Sequence, residues 1–160
     1  MNRFMAKHAV RSHVLRLNDR PKAVLELFEP IGEKKWSDEW NPTMIFPAST
    51  ISKGTVFTTK NKEGPDTVWI ITELDKENCK IAYTAVTPFI KVTVIEISCD
   101  PDGANHTKAH VTYAITALSE DGNRHVDFFS EEHYRKRMTE WEIAINQCLQ
   151  HEGPMKHHKH

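Results

Sequence analysis

Side chains able to do chemistry are spread along all 160 residues, and their spacing separates what the chain can support from what it lacks. Ten histidines invite metal binding or proton transfer. Yet His8, His13, His106, His110, His125, His133 and His151 are scattered, without the His-Glu-x-x-His spacing that puts two imidazoles on one helix face. His157, His158 and His160 cluster in the tail, where neighbouring imidazoles take up nickel or zinc adventitiously. No metal site is assigned. Serine and cysteine show no nucleophile-elbow pattern, and no glycine loop is built to cradle phosphate. A carboxylate buried in an apolar strand can serve as a general base once its pKa is raised, and Glu73 and Glu96 stand in such strands. Alternation puts Glu96 on an outer face, whereas Glu73 shares a face with Trp69 and Ile71. Both are read as ordinary strand carboxylates. The strongest set is aromatic: Trp36, Trp40, Phe57, Trp69, Tyr83, Tyr113 and Trp141 offer wide apolar contact with hydroxyl and indole donors to orient a guest.

These residues need elements to gather them. Ser130 to Leu149 predicts one long amphipathic helix, because Tyr134, Met138, Trp141, Ile145 and Cys148 recur at steps of four and three. Ser130 suits the N-cap, and Glu131 and Glu132 complement the positive end of the helix dipole. Before it the pattern is almost entirely strand. Ala9 to Leu17 alternates as a first strand. Asp19 and Pro21 open a short helix with Val24, Leu25 and Phe28 on its apolar face, and Ile31 to Trp36 forms a second short helix. A short strand is placed near Thr43 to Phe46. Strands follow at Thr55–Lys60, Thr67–Leu74, Lys80–Val86, Lys91–Cys99 and His106–Leu118. Turn chemistry separates them at Asn61–Pro65, Asp75–Asn78, Asp100–Gly103 and Ser119–Asn123. Strands joined by short loops are antiparallel neighbours, so the sheet is a meander. Within it Phe57, Ile81, Tyr83, Ile95, Ile97, Val111, Tyr113 and Ile115 face inward. The strand around Trp69 is apolar on both sides, and alternation leaves its facing open.

Bulk properties narrow the function classes. The chain reads as a single domain over 1–160, with a core over about 8–150 and a flexible His/Lys tail at 151–160. Lys plus Arg (21) balance Asp plus Glu (22), which gives no electrostatic case for nucleic acid. No apolar run approaches the ~20 residues that cross a bilayer, and the N-terminus lacks a signal-like core, so no membrane insertion is expected. Cys79, Cys99 and Cys148 are odd in number and fall within predicted elements, as buried free thiols of a reduced, cytoplasmic protein do.

The order strand, two short helices, antiparallel meander and long C-terminal helix resembles the α+β helix-grip fold of the SRPBCC superfamily. That superfamily includes the START, Bet v 1-like and polyketide-cyclase proteins. The likeness is to an uncharacterised prokaryotic branch and is carried by ordered motifs. They are Trp36, Trp40-Asn41-Pro42, Phe46-Pro47, Gly54-Thr55-Val56-Phe57, Asp66-Thr67-Val68-Trp69, Ile81-Ala82-Tyr83, Val86-Thr87-Pro88, Thr112-Tyr113, Gly122-Asn123 and Trp141. One departure is Phe89-Ile90, where a glycine-type tight turn is expected.

The resemblance implies a curved antiparallel sheet wrapped around the C-terminal helix, with a hydrophobic cavity between them. The expected occupant is a small hydrophobic or amphipathic molecule, lipid-like, polyketide-like or aromatic. Its expected lining is Trp36, Phe57, Trp69, Tyr83, Ile95, Tyr113, Met138, Trp141 and Ile145. No cofactor and no catalytic residue is assigned, and the protein is expected as monomer or homodimer. Two alternatives are carried. One is a cyclase, dehydratase or hydrolase using Tyr83 or Tyr113 as proton donor with help from Glu73. The other is a co-chaperone-like interaction module with Ile143 on an exposed helix face.

Overall fold

The structure, a computed structural model, describes the backbone of residues 3–159 and the side chains of residues 3–151. Strand β1 (His8–Leu17) leads into helix α1 (Pro21–Leu27) and a 3-10 turn (Gly32–Lys35). Strands β2 (Thr43–Phe46), β3 (Val56–Thr59), β4 (Thr67–Asp75), β5 (Lys80–Thr87), β6 (Lys91–Pro101) and β7 (Thr107–Ala117) follow. Helices α2 (Glu120–Phe128) and α3 (Glu131–Lys159) complete the order. The strands form a curved seven-stranded antiparallel sheet in the order β1-β7-β6-β5-β4-β3-β2, with α3 laid against its concave face. This is the expected helix-grip architecture.

Pairing fixes which side chains share a face. Ile71, Tyr83, Ile95 and Tyr113 stand opposite one another along one inner row, and Phe57, Trp69, Ala85, Thr93 and Ile115 along the next. Trp69 therefore faces inward, half-buried against Phe57 and Tyr83. The α3 stripe meets these rows as expected: Tyr134, Met138, Ile145 and Cys148 are buried, and the Tyr134 hydroxyl donates to the Val111 carbonyl at 2.6 Å. Burying each such side chain contributes about 1.5–3 kcal/mol. Ser130 caps α3 through its hydroxyl, which accepts from the His133 N–H at 3.1 Å. Cys79, Cys99 and Cys148 are buried and form no disulfide among the described residues.

The structure departs from the sequence reading at element ends. Ser119–Asn123, expected as a turn, is the start of α2: the Ser119 side chain accepts from the Gly122 N–H, and Glu120 and Asp121 favour the helix N-terminus. Arg20, not Asp19, is the N-cap of α1; the Asp19 carboxylate accepts from the Arg20 N–H at 2.7 Å. Strand β6 runs through Asp100 and Pro101, so its turn begins later, where the Asp102 N–H donates to the His106 carbonyl. A β-bulge between Ile71 and Glu73 breaks the alternation of β4 and turns Glu73 out to solvent. Helix α3 continues past Leu149 to Lys159. The side chains of the expected flexible tail beyond His151 lie outside the described residues.

Candidate functional site

The concave face is unevenly filled, and the cause is residue size. Along the row toward the C-terminal half of α3, Ile71, Tyr83, Ile95 and Tyr113 are large and buried. One row over, Ala85 and Thr93 replace them between Trp69 and Ile115, and Thr67 and Thr87 lie beyond. Small side chains on a curved surface leave space that a straight helix cannot fill. A cavity of about 850 Å³ occupies that space, bounded by Thr67, Trp69, Ala85, Thr87, Thr93 and Ile115 on the sheet and by α2 and α3 above. It opens toward the exposed Asn61–Gly64 loop and the exposed end of α2.

Two features hold this end of the molecule open. The Ile90 N–H donates to the Thr87 carbonyl at 3.0 Å in the β5–β6 turn, and Phe89 sits at φ 68°. The expected glycine-type turn is thus present in shape, with phenylalanine in the left-handed region. Helix α2 lies close over this turn because Gly122 has no side chain; a Cβ there would overlap the Ile90 carbonyl oxygen. Asn123 then ties α2 to the N-terminal segment, accepting from the Lys7 N–H at 2.8 Å and donating to the Met5 carbonyl at 3.0 Å.

The wall is amphipathic. Trp69, Ile90, Ile115, Phe128 and Phe129 supply apolar surface, and the buried Thr67 and Thr87 hydroxyls bond each other at 2.8 Å. Polar groups gather under the helices: Lys91, Asp121, Arg124, His125, His133 and Arg137. The Lys91 ammonium lies 3.1 Å from His125 Nδ1. Burial, and secondarily Arg137, lowers the pKa of Lys91; burial and then Lys91 lower that of His125.

Of the residues expected to line a pocket, Trp69 borders this cavity. The others pack beside it as core. Trp36 and Trp141 meet edge-on with ring centroids 5.3 Å apart, Phe28 joins both, and Tyr113 meets Trp141. Phe57, Met138 and Ile145 are fully buried, Ile95 nearly so, and Tyr83 donates to the Phe28 carbonyl at 2.5 Å. Burial pushes the Tyr83 and Tyr113 hydroxyls well above the ordinary phenol range. Glu73, expected as their helper, lies on the solvent side of its bulge. The acid that acts on both tyrosines is Glu33 of the 3-10 turn. The residue as a whole is half-buried, yet its carboxyl is desolvated and its pKa is pushed up to about 8. Gly32 allows that placement, because a Cβ there would overlap the Glu26 carbonyl oxygen.

Sequence reasoning missed Glu33, Lys91, Arg124 and Arg137. None of them was singled out from the sequence: the 3-10 turn places Glu33, the unforeseen α2 carries Arg124 to the cavity, α3 carries Arg137, and pairing with Thr87 across the β5–β6 ladder turns Lys91 toward it. Among the described residues no three His, Cys, Asp or Glu gather to hold a metal ion, and no helix is long and apolar enough to cross a membrane. His110 is exposed and pairs with Asp100 at 3.2 Å.

No family model matches this sequence, and no curated protein matches it either. Solved structures do resemble it. Norcoclaurine synthase from Thalictrum flavum, in complex with dopamine and hydroxybenzaldehyde, superposes with a TM-score of 0.66 at 12% identity, covering 92% of this chain and 89% of that one. An uncharacterised protein from Rhizobium leguminosarum gives a TM-score of 0.65 at 14% identity, covering 92% and 98%. A protein from Rhizobium loti gives 0.59 at 14% identity, covering 91% and 100%. At these identities the likeness is one of fold alone: the chain has a Bet v 1-like helix-grip fold.

Proposed function

We propose that this protein binds a small hydrophobic or amphipathic molecule in the cavity between its sheet and C-terminal helices. The observation that carries this reading is the hollow of about 850 Å³ under α2 and α3, apolar along Trp69, Ile115 and Phe129 and polar at its rim. Its size suits a drug-sized or lipid-sized guest, for which pockets of roughly 300–1,000 Å³ are usual. The fold is compatible with such a role, since norcoclaurine synthase holds dopamine and hydroxybenzaldehyde. Trp69 contacts the guest directly in this reading, and Trp36, Phe57, Tyr83, Ile95, Tyr113, Met138, Trp141 and Ile145 form the packed end that shapes the pocket. Binding needs no further chemistry from the chain.

Native mass spectrometry after incubation with a lipid and metabolite extract tests this directly. A retained small molecule, displaced by the neutral dye N-phenyl-1-naphthylamine, is the expected result. Failure of both the extract and the dye to yield any complex refutes the binding role.

A further inference from the structure

The cavity carries more positive charge than its own carboxylates neutralise. Asp121, one of its two acidic lining residues beside Glu63, is already engaged with Arg124 in an ion pair. Lys91 reaches a neutral acceptor, Nδ1 of His125, at 3.1 Å. Donation from an ammonium assigns the acceptor role to that nitrogen and leaves His125 uncharged. Arg137 lies over the Phe129 ring, 5.3 Å from its centroid, and neighbours Tyr113. Among the described residues neither Lys91 nor Arg137 has a carboxylate partner.

Both cations are half-buried, so the arrangement is unfavourable as it stands. Partly desolvated like charges without a counter-anion raise each other's free energy. An anion entering the cavity would meet both, gain charge-assisted hydrogen bonds and relieve the repulsion. The apolar surface of Trp69, Ile115 and Phe129 adjoins this pair, so the anion's attached body has a place to lie.

Resting on the binding role proposed above, we propose that Lys91 and Arg137 form an anion anchor, so that the guest is an amphiphile bearing a carboxylate or phosphate monoester at one end. Neutral apolar molecules enter the same cavity but lack this hold.

Two dyes of one skeleton separate the claims. N-phenyl-1-naphthylamine is neutral, and 8-anilinonaphthalene-1-sulfonate adds a single sulfonate. Lys91→Gln and Arg137→Gln are each expected to weaken the sulfonate dye about 10-fold while leaving the neutral dye within about twofold. Arg137→Lys, which keeps the charge, is expected to recover most of the loss. Decanoate and decyl phosphate are expected to displace the neutral dye at lower concentration than decanol, and their order tells carboxylate from phosphate. Unchanged sulfonate affinity in both Gln variants, or decanol competing as well as the two acids, overturns the anchor while the neutral dye still reports a binding cavity. Parallel loss of both dyes in folded variants, judged by thermal denaturation, assigns the pair a structural role and also overturns it. A wild-type protein that takes up neither dye fails at the earlier step, the cavity itself.

Discussion

A single carboxyl shows how burial writes itself into pH dependence. Glu33 has a folded-state pKa of about 8 against an ordinary 4.5, and desolvation is the cause. Between those values the folded chain keeps a proton that the unfolded chain releases. Stability is therefore greatest below about pH 4.5 as far as this group is concerned, falls as pH rises, and levels off above about pH 8. The full shift corresponds to several kcal/mol, and the residue's partial exposure reduces the expectation to roughly 1–3 kcal/mol. Glu33→Gln has no charge to acquire. Urea denaturation at pH 5 and pH 8.5 should show the wild type losing that amount between the two and the variant losing much less; equal losses in both would remove Glu33 from the account. The sequence offered no signal for this acid. It falls within Ile31–Trp36, read as a short helix with no mark of a buried carboxyl, and the tyrosines it acts on, Tyr83 and Tyr113, come from distant strands.

At the scale of elements, the β5–β6 turn and α2 cooperate to build one end of the cavity. Phe89 holds a left-handed backbone, which costs a side-chain-bearing residue about 1–2 kcal/mol, and its ring is 81% exposed and recovers little by packing. Phe89→Gly should stabilise the protein by about 0.5–1 kcal/mol after the extra chain entropy of glycine is subtracted, read as a rise in the urea midpoint. Gly122→Ala has the opposite sign. The new methyl meets the Ile90 backbone rather than a movable side chain, so α2 must shift, at a cost of about 1–3 kcal/mol. Dye affinity should fall with it, because α2 carries Arg124 and His125 over the cavity. The strands and α3 were legible because alternation and the stripe from Tyr134 to Cys148 are long-range regularities. Helix α2 was not, since Asp121-Gly122-Asn123 carries turn composition. Its helical clue is the brief capping sequence Ser119-Glu120-Asp121. Glu73 failed for a related reason: one inserted residue at a bulge reverses a strand's facing, and composition does not mark where the insertion falls.

For the whole molecule, the decisive property is how the concave face is divided. Aromatic and branched side chains fill one half, where Trp36, Phe28, Trp141 and Tyr113 meet ring to ring, and small ones leave the other half hollow. The resemblance of the motif order to helix-grip proteins foretold a hollow between sheet and C-terminal helix but not which part of that space it takes, because apart from Trp69 the conspicuous residues expected to line it fill space rather than border it. Position is instead written in the least conspicuous ones, Ala85 and Thr93, which adjoin each other across β5 and β6. If unfilled volume rather than the surrounding charge admits the guest, restoring bulk at that point should abolish entry without harming the fold. Ala85→Leu adds three heavy atoms on the inner face beside Trp69, at a position that lines the cavity. It should leave the urea midpoint unchanged or raise it by about 1 kcal/mol equivalent, since apolar surface is added to a cavity wall without overpacking. Uptake of N-phenyl-1-naphthylamine should meanwhile fall at least about 10-fold, the loss of ~1.4 kcal/mol of binding free energy. A destabilised variant would mean that this part of the sheet is already close-packed, and undiminished dye uptake would place the guest elsewhere on the molecule.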